Sequence, residues 1–185
     1  MRIIAGLAKG RKLLSPESMV TRPTLDRIKE SMFDILQDKT YGSNVLDAFA
    51  GTGSLGLEAA SRGASHCYLI DKSPETYPLL KQNIINLKFD DICSSFNDDT
   101  YEVIKRLGEN KEVFDIIFID PPYAKDMIPL AVELVEKYNM LVSDGVIVTK
   151  IDSKEIIYEG SKNIVLYDKR KYGNTTICFY KLKED

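Results

Sequence analysis

The feature of this sequence that most constrains its fold is an alternation of short apolar runs with helical patterns, which begins near residue 44. The apolar runs predict strands at Val45–Phe49, Cys67–Ile70, Ile92–Phe96, Phe114–Ile119 and Val146–Thr149. Between them, apolar residues at helical spacing predict helices at about 54–62, 75–87, 100–108 and 127–139. Strands that alternate with crossover helices of this length favour an α/β fold with a parallel, doubly wound sheet.

The two ends of the chain depart from this alternation. The segment 2–16 is basic and punctuated by glycines, which predicts a small hairpin or a loose arm, and a helix follows over Thr24–Leu36. Near the other end, Ile164–Tyr167 and Thr176–Leu182 flank turn residues, which predicts an antiparallel strand pair. We therefore expect one domain over residues 1–185. Its parts are a basic arm and helix at 1–40 and a catalytic α/β core at 41–185.

The charge of the chain is unevenly distributed. The net charge is −3, which by itself argues weakly against a nucleic-acid partner. Residues 1–30 hold seven Lys/Arg and three Asp/Glu, however, so they carry +4 while the rest of the chain carries −7. A basic arm on an acidic body is expected, and the arm is the part suited to nucleic acid.

The cysteines and the lengths of the apolar runs indicate the expected cellular location of the protein. The three cysteines, Cys67, Cys93 and Cys178, are odd in number and far apart, so they predict neither a disulfide framework nor a zinc-binding pair. No apolar run is long enough for a secretory signal or a membrane span. We expect reduced thiols and a cytoplasmic location.

A glycine-rich segment, residues 47–56, follows the first strand of the core and opens the next helix. In such a sheet, ligands bind at the carboxyl ends of the strands, and glycines let the backbone approach a ligand closely. Asp71 ends the next strand, where a carboxylate suits the two hydroxyls of a ribose. The segment therefore predicts a site for a cofactor that contains a nucleoside.

Asp47, at the start of this segment, discriminates between possible ligands. The spacing Gly51-x-Gly53-x-x-Gly56 matches a dinucleotide fingerprint, which alone is weak, and the glycines could also make only a tight turn. A carboxylate at the strand end would repel a pyrophosphate. It suits S-adenosylmethionine, which has no phosphate and carries an ammonium and a sulfonium. We expect this cofactor, with a dinucleotide and a plain turn as the alternatives.

A second motif, Asp120-Pro121-Pro122-Tyr123, suits the exocyclic amino group of a base. The two prolines fix the chain and remove two backbone donors, so the Pro121 carbonyl is a rigid acceptor beside the Asp120 carboxylate. Two such acceptors suit an NH2 group, and Tyr123 offers a flat face on which a base can stack. A plain strand-ending turn is the alternative. The glycine segment three strands earlier favours the functional interpretation.

Methyl transfer to such an amine depends on alignment. The amine lone pair is delocalised into the ring, and acceptors on both N–H bonds favour localising it toward the sulfonium methyl. Because the reaction is an in-line displacement, alignment should matter more than strong base catalysis. The proton becomes acidic after transfer, so a carboxylate or water can receive it. The mechanism needs no metal, and we predict no metal site.

The two motifs together resemble the class I S-adenosylmethionine-dependent methyltransferases that act on amino groups of bases. Over essentially the whole chain, the sequence is similar to one family, the bacterial 16S ribosomal RNA guanine-N2 methyltransferases. The shared segments are Arg2-Ile3-Ile4-Ala5-Gly6, Gly10-Arg11, Arg22-Pro23-Thr24 with Asp26-Arg27, and Arg170-x-Tyr172-Gly173. The resemblance implies a Rossmann-like sheet of seven strands, mostly parallel with the last strand antiparallel. It also implies methylation of one guanine in a loop of the small-subunit RNA.

The resemblance assigns roles to individual residues. The implied cofactor-binding residues are Asp47, Phe49, Gly51, Gly53, Asp71 and Asp99. Asp71 would bind the ribose, and Asp99 or its neighbour Asp98 the adenine. Asp120, Pro121 and Tyr123 would hold the target base as the catalytic residues. The chain departs from the family at position 29, where Lys replaces the usual Arg.

Basic residues near the start of the chain are the candidates for binding RNA. They are Arg2, Lys9, Arg11, Arg22 and Arg27. They could neutralise several phosphates, with a solvated basic tail as the alternative. Because the chain has no room for a separate recognition domain, the target base must be unpaired or splayed out. We expect the 16S RNA or a small-subunit particle as the partner, no membrane contact, and a monomeric enzyme.

Four other functions are compatible with parts of the sequence. An amino-methylating DNA methyltransferase can use the same tetrapeptide, but it usually carries an additional target-recognition region. A protein glutamine N-methyltransferase acts on a planar amide, and the basic arm does not favour it. A nicotinamide-dependent oxidoreductase would need the glycine segment to bind a pyrophosphate. A non-catalytic RNA-binding module would leave the Asp-Pro-Pro-Tyr motif unexplained.

Overall fold

The computed structural model describes residues 1–17, 23–122 and 126–184, which form a seven-stranded sheet covered by helices. The strands are β1 (Asn44–Asp47), β2 (His66–Ile70), β3 (Cys93–Phe96), β4 (Phe114–Ile119), β5 (Leu141–Asp152), β6 (Ile164–Tyr172) and β7 (Thr175–Leu182). Their order is β3-β2-β1-β4-β5-β7-β6. β7 is antiparallel to both of its neighbours, and the other strand pairs are parallel. The predicted Rossmann-like α/β fold is confirmed.

Helices cover both faces of the sheet. They are α1 (Pro23–Ile35), α2 (Gln37–Thr40), α3 (Ser54–Ser61), α4 (Tyr77–Leu87), α5 (Thr100–Glu109) and α6 (Met127–Lys137). Apolar side chains of α1, α3 and α4 pack on one face, and those of α5 and α6 pack on the other. Because both faces are covered, β4 is apolar at almost every position. On the first face, the ring of Phe118 in β4 lies 5.5 Å from that of Phe33 in α1.

The structure differs from the sequence predictions in two strands and one helix. β5 begins at Leu141 rather than Val146, because the exposed residues Ser143 and Asp144 interrupt its apolar pattern. β6 continues to Tyr172, since an edge strand can expose polar residues that give no strand pattern. The short helix α2 was not predicted, because four residues are too few to show a period.

The start of the chain forms a small hairpin that packs on α3. Arg2 and Lys12 make an antiparallel bridge, and the Gly10 N–H donates to the Ile3 carbonyl at 2.8 Å. Gly6 has a φ of +83°, and a Cβ there would lie 1.9 Å from the Ser61 carbonyl oxygen of α3. The hairpin therefore lies so close to α3 that only glycine fits. The structure has the hairpin rather than the loose arm that the sequence also allowed.

In the part of the chain that the structure describes, none of the helices is both long enough and apolar enough to cross a membrane.

Candidate active site

Three neighbouring strands place an aspartate at the same edge of the sheet. Asp47 is the last residue of β1, Asp71 directly follows β2, and Asp120 directly follows β4. β1 lies between the other two strands and is parallel to both, so the three carboxylates lie along the carboxyl edge. Across residues 1–17, 23–122 and 126–184, no group of three or more His, Cys, Asp or Glu is arranged to hold a metal ion.

The glycine segment turns the chain from β1 into α3 through two left-handed residues. Gly51 has a φ of +57° and Gly53 a φ of +99°, which side-chain-bearing residues rarely adopt. A Cβ on Gly53 would lie 2.6 Å from Leu57 Cδ1 and 2.8 Å from Leu80 Cδ1, so core packing excludes a side chain there. A Cβ on Gly51 would meet nothing within 4 Å. Gly51 therefore borders open space in which a ligand has room.

Asp47 is buried beneath α3 with one of its carboxylate oxygens unpaired. The Gly56 N–H donates to Asp47 Oδ2 at 2.9 Å. A Cβ on Gly56 would lie 2.5 Å from Leu69 Cδ2, so the glycine lets α3 approach the sheet closely. Asp47 Oδ1 is buried and has no hydrogen-bond partner. Since an unpaired buried anion is costly, this oxygen points to a cationic ligand group.

The electrostatics of Asp47 support the same conclusion. The pKa of Asp47 is raised to about 7, mainly by burial and in smaller part by repulsion from Asp120 and Asp71, while the hydrogen bond from Gly56 opposes the rise. Thr52 Oγ1, in the same glycine segment, is also buried without a hydrogen-bond partner. Two buried, unsatisfied polar atoms within the six residues from Asp47 to Thr52 fit a small, charged, hydrogen-bonding group. The ammonium of S-adenosylmethionine is such a group, so the residues fit the predicted cofactor.

Asp71 is held in a fixed orientation at the end of β2. The Thr76 hydroxyl donates to Asp71 Oδ2, and the Asn97 side-chain amide donates to the Asp71 carbonyl at 3.0 Å. Burial raises the pKa of Asp71, and the hydrogen bond from Thr76 opposes this shift. Phe49, which follows β1, packs edge-on against Tyr101 with 6.3 Å between ring centroids. An oriented carboxylate after β2 and an aromatic pair that includes the residue after Ala48 are both compatible with the predicted adenosine site.

Asp98 and Asp99 have different partners. Asp99 caps α5, because its Oδ1 accepts the Tyr101 N–H at 3.0 Å. Its Oδ2 lies 3.3 Å from Nζ of Lys72, the residue after Asp71. Asp98 instead pairs with Arg106 at 2.7 Å. The Asp99 side chain is therefore held at the start of α5 and beside the ammonium of Lys72, and its role toward the adenine stays a prediction.

The second motif lies at the end of β4. Asp120 Oδ2 is 2.9 Å from Lys150 Nζ of β5, and both side chains are about one-quarter exposed, at 26% and 24%. Pro121 is half-buried and Pro122 is exposed. Neither has an N–H, so neither donates a backbone hydrogen bond at this end of β4. Tyr123, the predicted stacking residue, lies outside the described residues.

Two of the predicted RNA-binding residues lie near the carboxyl edge. Arg2 Nε pairs with Asp26 Oδ2 of α1 at 2.8 Å. The Arg2 carbonyl accepts from Lys29 Nζ at 2.6 Å, and the same ammonium reaches Ser54, the first residue of α3. Arg27 is exposed on α1, one residue after Asp26. Arg22 lies outside the described residues.

The other two predicted RNA-binding residues lie farther from the glycine segment. The turn that holds Lys9 packs beside the last residue of α3, where the Leu7 N–H donates to the Ser61 carbonyl at 2.8 Å. Arg11 Nη2 donates to the Asn86 carbonyl near the end of α4 at 2.8 Å. Both helices run away from the carboxyl edge. The structure therefore does not bring Lys9 and Arg11 together with the predicted catalytic residues.

Sequence reasoning assigned no structural role to four residues that organise this region: Lys29, Glu58, Asn83 and Lys150. Glu58 is fully buried and binds the arm and Lys29. Asn83 donates to the Thr52 carbonyl at 2.9 Å and accepts the Leu14 N–H at 2.7 Å, which joins the arm to the glycine segment. A signal for Glu58 was present, because it is the only charged residue of an otherwise apolar helix. Asn83 and Lys150 gave no comparable local signal.

The chain matches known proteins over almost its whole length. The family model described as "Conserved hypothetical protein 95" matches residues 1–181. "Putative rRNA methyltransferase YlbH" of Bacillus subtilis is 34% identical and covers 98% of both chains. "Ribosomal RNA small subunit methyltransferase D" of Haemophilus influenzae is 33% identical, with coverage of 100% of this chain and 94% of the relative.

A solved structure is also similar to this chain over almost its whole length. The structure titled "Putative methyltransferase yhhF" from Escherichia coli has a TM-score of 0.87 and 28% identity, and the alignment covers 99% of this chain and 98% of that one. These matches confirm the resemblance inferred from the motifs. The chain therefore belongs to the family described as Conserved hypothetical protein 95, together with relatives named as ribosomal RNA small-subunit methyltransferases.

Proposed function

We propose that this protein transfers the methyl group of S-adenosylmethionine to the N2 amine of a guanine in small-subunit ribosomal RNA. The observation that carries the proposal is the placement of the buried Asp47 carboxylate one strand away from Asp120 and Pro121. The first site suits a cation and the second suits an NH2 group. Methyl donor and acceptor would then lie side by side at one edge of the sheet. Family relatives named for ribosomal RNA methylation support RNA as the substrate.

The cofactor would be held by residues at the ends of three strands, β1, β2 and β3, and in the loops that follow them. Asp47 and Thr52 would bind its amino-acid end, where the two unpaired buried oxygens lie. Gly51 would leave room for the cofactor, and Gly53 would turn the backbone toward its methionine end. Asp71 would accept the ribose hydroxyls, and Phe49 with Asp99 would lie at the adenine. When bound, S-adenosylmethionine supplies an electrophilic methyl group on a sulfonium.

Asp120 and Pro121 would orient the target amine. The Asp120 carboxylate and the Pro121 carbonyl accept its two N–H groups, and Tyr123 would stack on the base. This arrangement turns the nitrogen lone pair toward the methyl carbon. A bound cofactor would supply its methyl carbon to this lone pair and would keep the S–C bonding pair on its sulfur. The excess proton on nitrogen then leaves to Asp120 or to water.

Residues 1–40 would bind RNA, and residues 41–185 would carry the chemistry. Arg2 and Arg27, near the carboxyl edge, are the best-placed phosphate contacts, whereas Lys9 and Arg11 would contact RNA that extends past α3 and α4. The base must be unpaired or splayed out to reach Asp120. The enzyme would act as a cytoplasmic monomer on 16S RNA or on a small-subunit particle.

The test is methyl transfer from labelled S-adenosylmethionine to unmodified small-subunit RNA and particles, followed by mass spectrometry of the nucleosides. We expect N2-methylguanosine as the product. Transfer to adenine or cytosine in DNA, or to glutamine in protein, with none to guanine, would contradict the substrate. A calorimetric titration with S-adenosylhomocysteine and with NAD tests the cofactor separately. Binding of NAD alone would contradict a methyltransferase.

A further inference from the structure

An ion pair next to the proposed target site joins β4 to β5. In the parallel register of these strands, Ile119 lies opposite Thr149, so the next residues along each chain are Asp120 and Lys150. Lys150 Nζ is 2.9 Å from Asp120 Oδ2. Both side chains are largely shielded, with about one-quarter of each exposed. The pair is therefore less screened by water than an ordinary surface salt bridge.

The ion pair distinguishes the two oxygens of the carboxylate. The ammonium contacts Oδ2, so Oδ1 is the oxygen that an amine N–H would meet. The contact also restricts rotation of the Asp120 side chain, which otherwise could turn either oxygen toward the base. The in-line displacement depends mainly on the alignment of the acceptors, because a small misplacement of the reacting groups strongly lowers the rate.

The surrounding charges give the lysine a second effect. Asp47, Asp71 and Asp120 lie along one edge, and repulsion from Asp120 contributes to the raised pKa of Asp47. The positive charge of Lys150 partly offsets this repulsion. It therefore stabilises the Asp120 carboxylate in its place beside the other two. Lys150 contacts the carboxylate that would accept the amine N–H, so the effect we assign to it is one of placement.

We propose that Lys150 is a positioning residue for methyl transfer, which holds the Asp120 carboxylate so that one oxygen is presented to the target amine. The proposal rests on the proposed function, because it assigns Asp120 the amine. Nothing in the local sequence pattern marks Lys150, which lies in an otherwise buried stretch of β5.

The experiment compares Lys150→Met, Lys150→Arg and a matched control, Lys154→Met, an exposed lysine just beyond β5. Methyl transfer to small-subunit RNA gives kcat and the KM for RNA, and calorimetry gives the affinity for S-adenosylhomocysteine. We expect Lys150→Met to lower kcat by about 10- to 100-fold with KM and cofactor affinity nearly unchanged. Lys150→Arg should restore most of kcat, and Lys154→Met should match the wild type.

Several outcomes would overturn the proposal. If Lys150→Met raises the KM for RNA and leaves kcat unchanged, the lysine contacts RNA instead. If Lys150→Arg is as slow as Lys150→Met while both bind S-adenosylhomocysteine normally, a positive charge at position 150 is not what places Asp120. Should Lys150→Met fail to fold, Lys150→Gln takes its place with the same expectations. Failure of the proposed function is recognised separately, because the wild type itself would then form no N2-methylguanosine.

Discussion

Lys29 of α1 and Glu58 of α3 form an ion pair in the protein interior, with 3.2 Å between Nζ and Oε2. Their side chains are 6% and 0% exposed. Glu58 also accepts the backbone N–H of Ile4 at 2.9 Å and that of Ala5 at 3.1 Å. One buried carboxylate therefore joins α1, α3 and the hairpin at the start of the chain.

The same ion pair connects the hairpin to the cofactor segment. Lys29 Nζ donates to the Arg2 carbonyl at 2.6 Å and to the Ser54 hydroxyl at 3.3 Å. Ser54 directly follows Gly53. The position of the proposed RNA-binding arm and that of the proposed methyl-donor site are thus set by one hydrogen-bonded cluster.

Replacement of Glu58 should be strongly destabilising. In Glu58→Ala, Lys29 keeps a buried charge without its main partner, and two hairpin N–H groups lose their acceptor. We expect the free energy of unfolding to fall by about 3–5 kcal/mol, measured by chemical denaturation. Glu102→Ala, which breaks an exposed pair with Lys105, is the control and should cost less than about 1 kcal/mol. Equal losses in the two variants would contradict a structural role for the buried pair.

Cofactor affinity should depend on pH through Asp47. The pKa of Asp47 in the free protein is raised from 3.8 to about 7, and only the charged carboxylate can pair with the cofactor ammonium. Affinity for S-adenosylhomocysteine should therefore fall by about tenfold as the pH is lowered from about 8 to about 6. Calorimetry at the two pH values measures this change. In Asp47→Asn the affinity should be low and nearly independent of pH over this range, and a pH dependence like that of the wild type would rule out Asp47 as its source.

The same raised pKa has a consequence for stability. Between about pH 4 and pH 7, the folded state holds a proton on Asp47 that the unfolded state has released. The folded state binds more protons in this window, so the Asp47 contribution to stability decreases as pH rises through it. Denaturation of wild type and Asp47→Asn at pH 5 and pH 8 should therefore show a larger pH dependence in the wild type.

Gly51→Ala should separate ligand binding from backbone strain. Gly51 and Gly10 both have a positive φ, and a Cβ on either would meet nothing within 4 Å. Alanine in this backbone region costs about 1–2 kcal/mol, so both variants should be destabilised similarly. Only Gly51→Ala should weaken binding of S-adenosylhomocysteine, because its methyl group enters the proposed cofactor space. If Gly10→Ala weakens binding equally, the effect comes from strain rather than from the site.

Asp120→Ala should abolish turnover and leave cofactor binding largely intact. The variant removes one of the two acceptors for the amine, so we expect kcat to fall by about 100-fold or more. Affinity for S-adenosylhomocysteine should stay close to that of the wild type in calorimetry. Asp91→Ala, at an exposed site outside the proposed machinery, is the control. Equal loss of turnover and cofactor binding in Asp120→Ala would refute the division into two sites.

Local sequence patterns were sufficient to predict features whose burial or turn residues are neighbours in the sequence. The strand Phe114–Ile119 was predicted with the bounds that the structure shows, because both of its faces are covered and its residues are nearly all apolar. Gly53 and Asp47 were recognised for a similar reason. A glycine at a helix start and a carboxylate at a strand end each have a narrow set of physical explanations, and neither depends on distant residues.

Local patterns were not sufficient where the partner lies far along the chain. The start of β5 and the end of β6 were missed, because exposed polar residues on a sheet give no apolar alternation. The hairpin could be predicted as basic, but its path along α3 and α4 depends on Glu58 and Asn83, which belong to other elements. The predicted RNA-binding set is consequently divided between two regions of the surface.

The sequence alone predicted the fold class, the cofactor and a motif suited to an amino group, because each prediction rests on neighbouring residues with a defined spacing. The tertiary structure decided which side chains from distant parts of the sequence contact each other around these motifs. Lys150 reaches Asp120 through the register of two parallel strands, and Lys29 reaches Glu58 through the packing of two helices. Such contacts depend on how separate elements pack against each other, and a one-dimensional pattern does not contain that information.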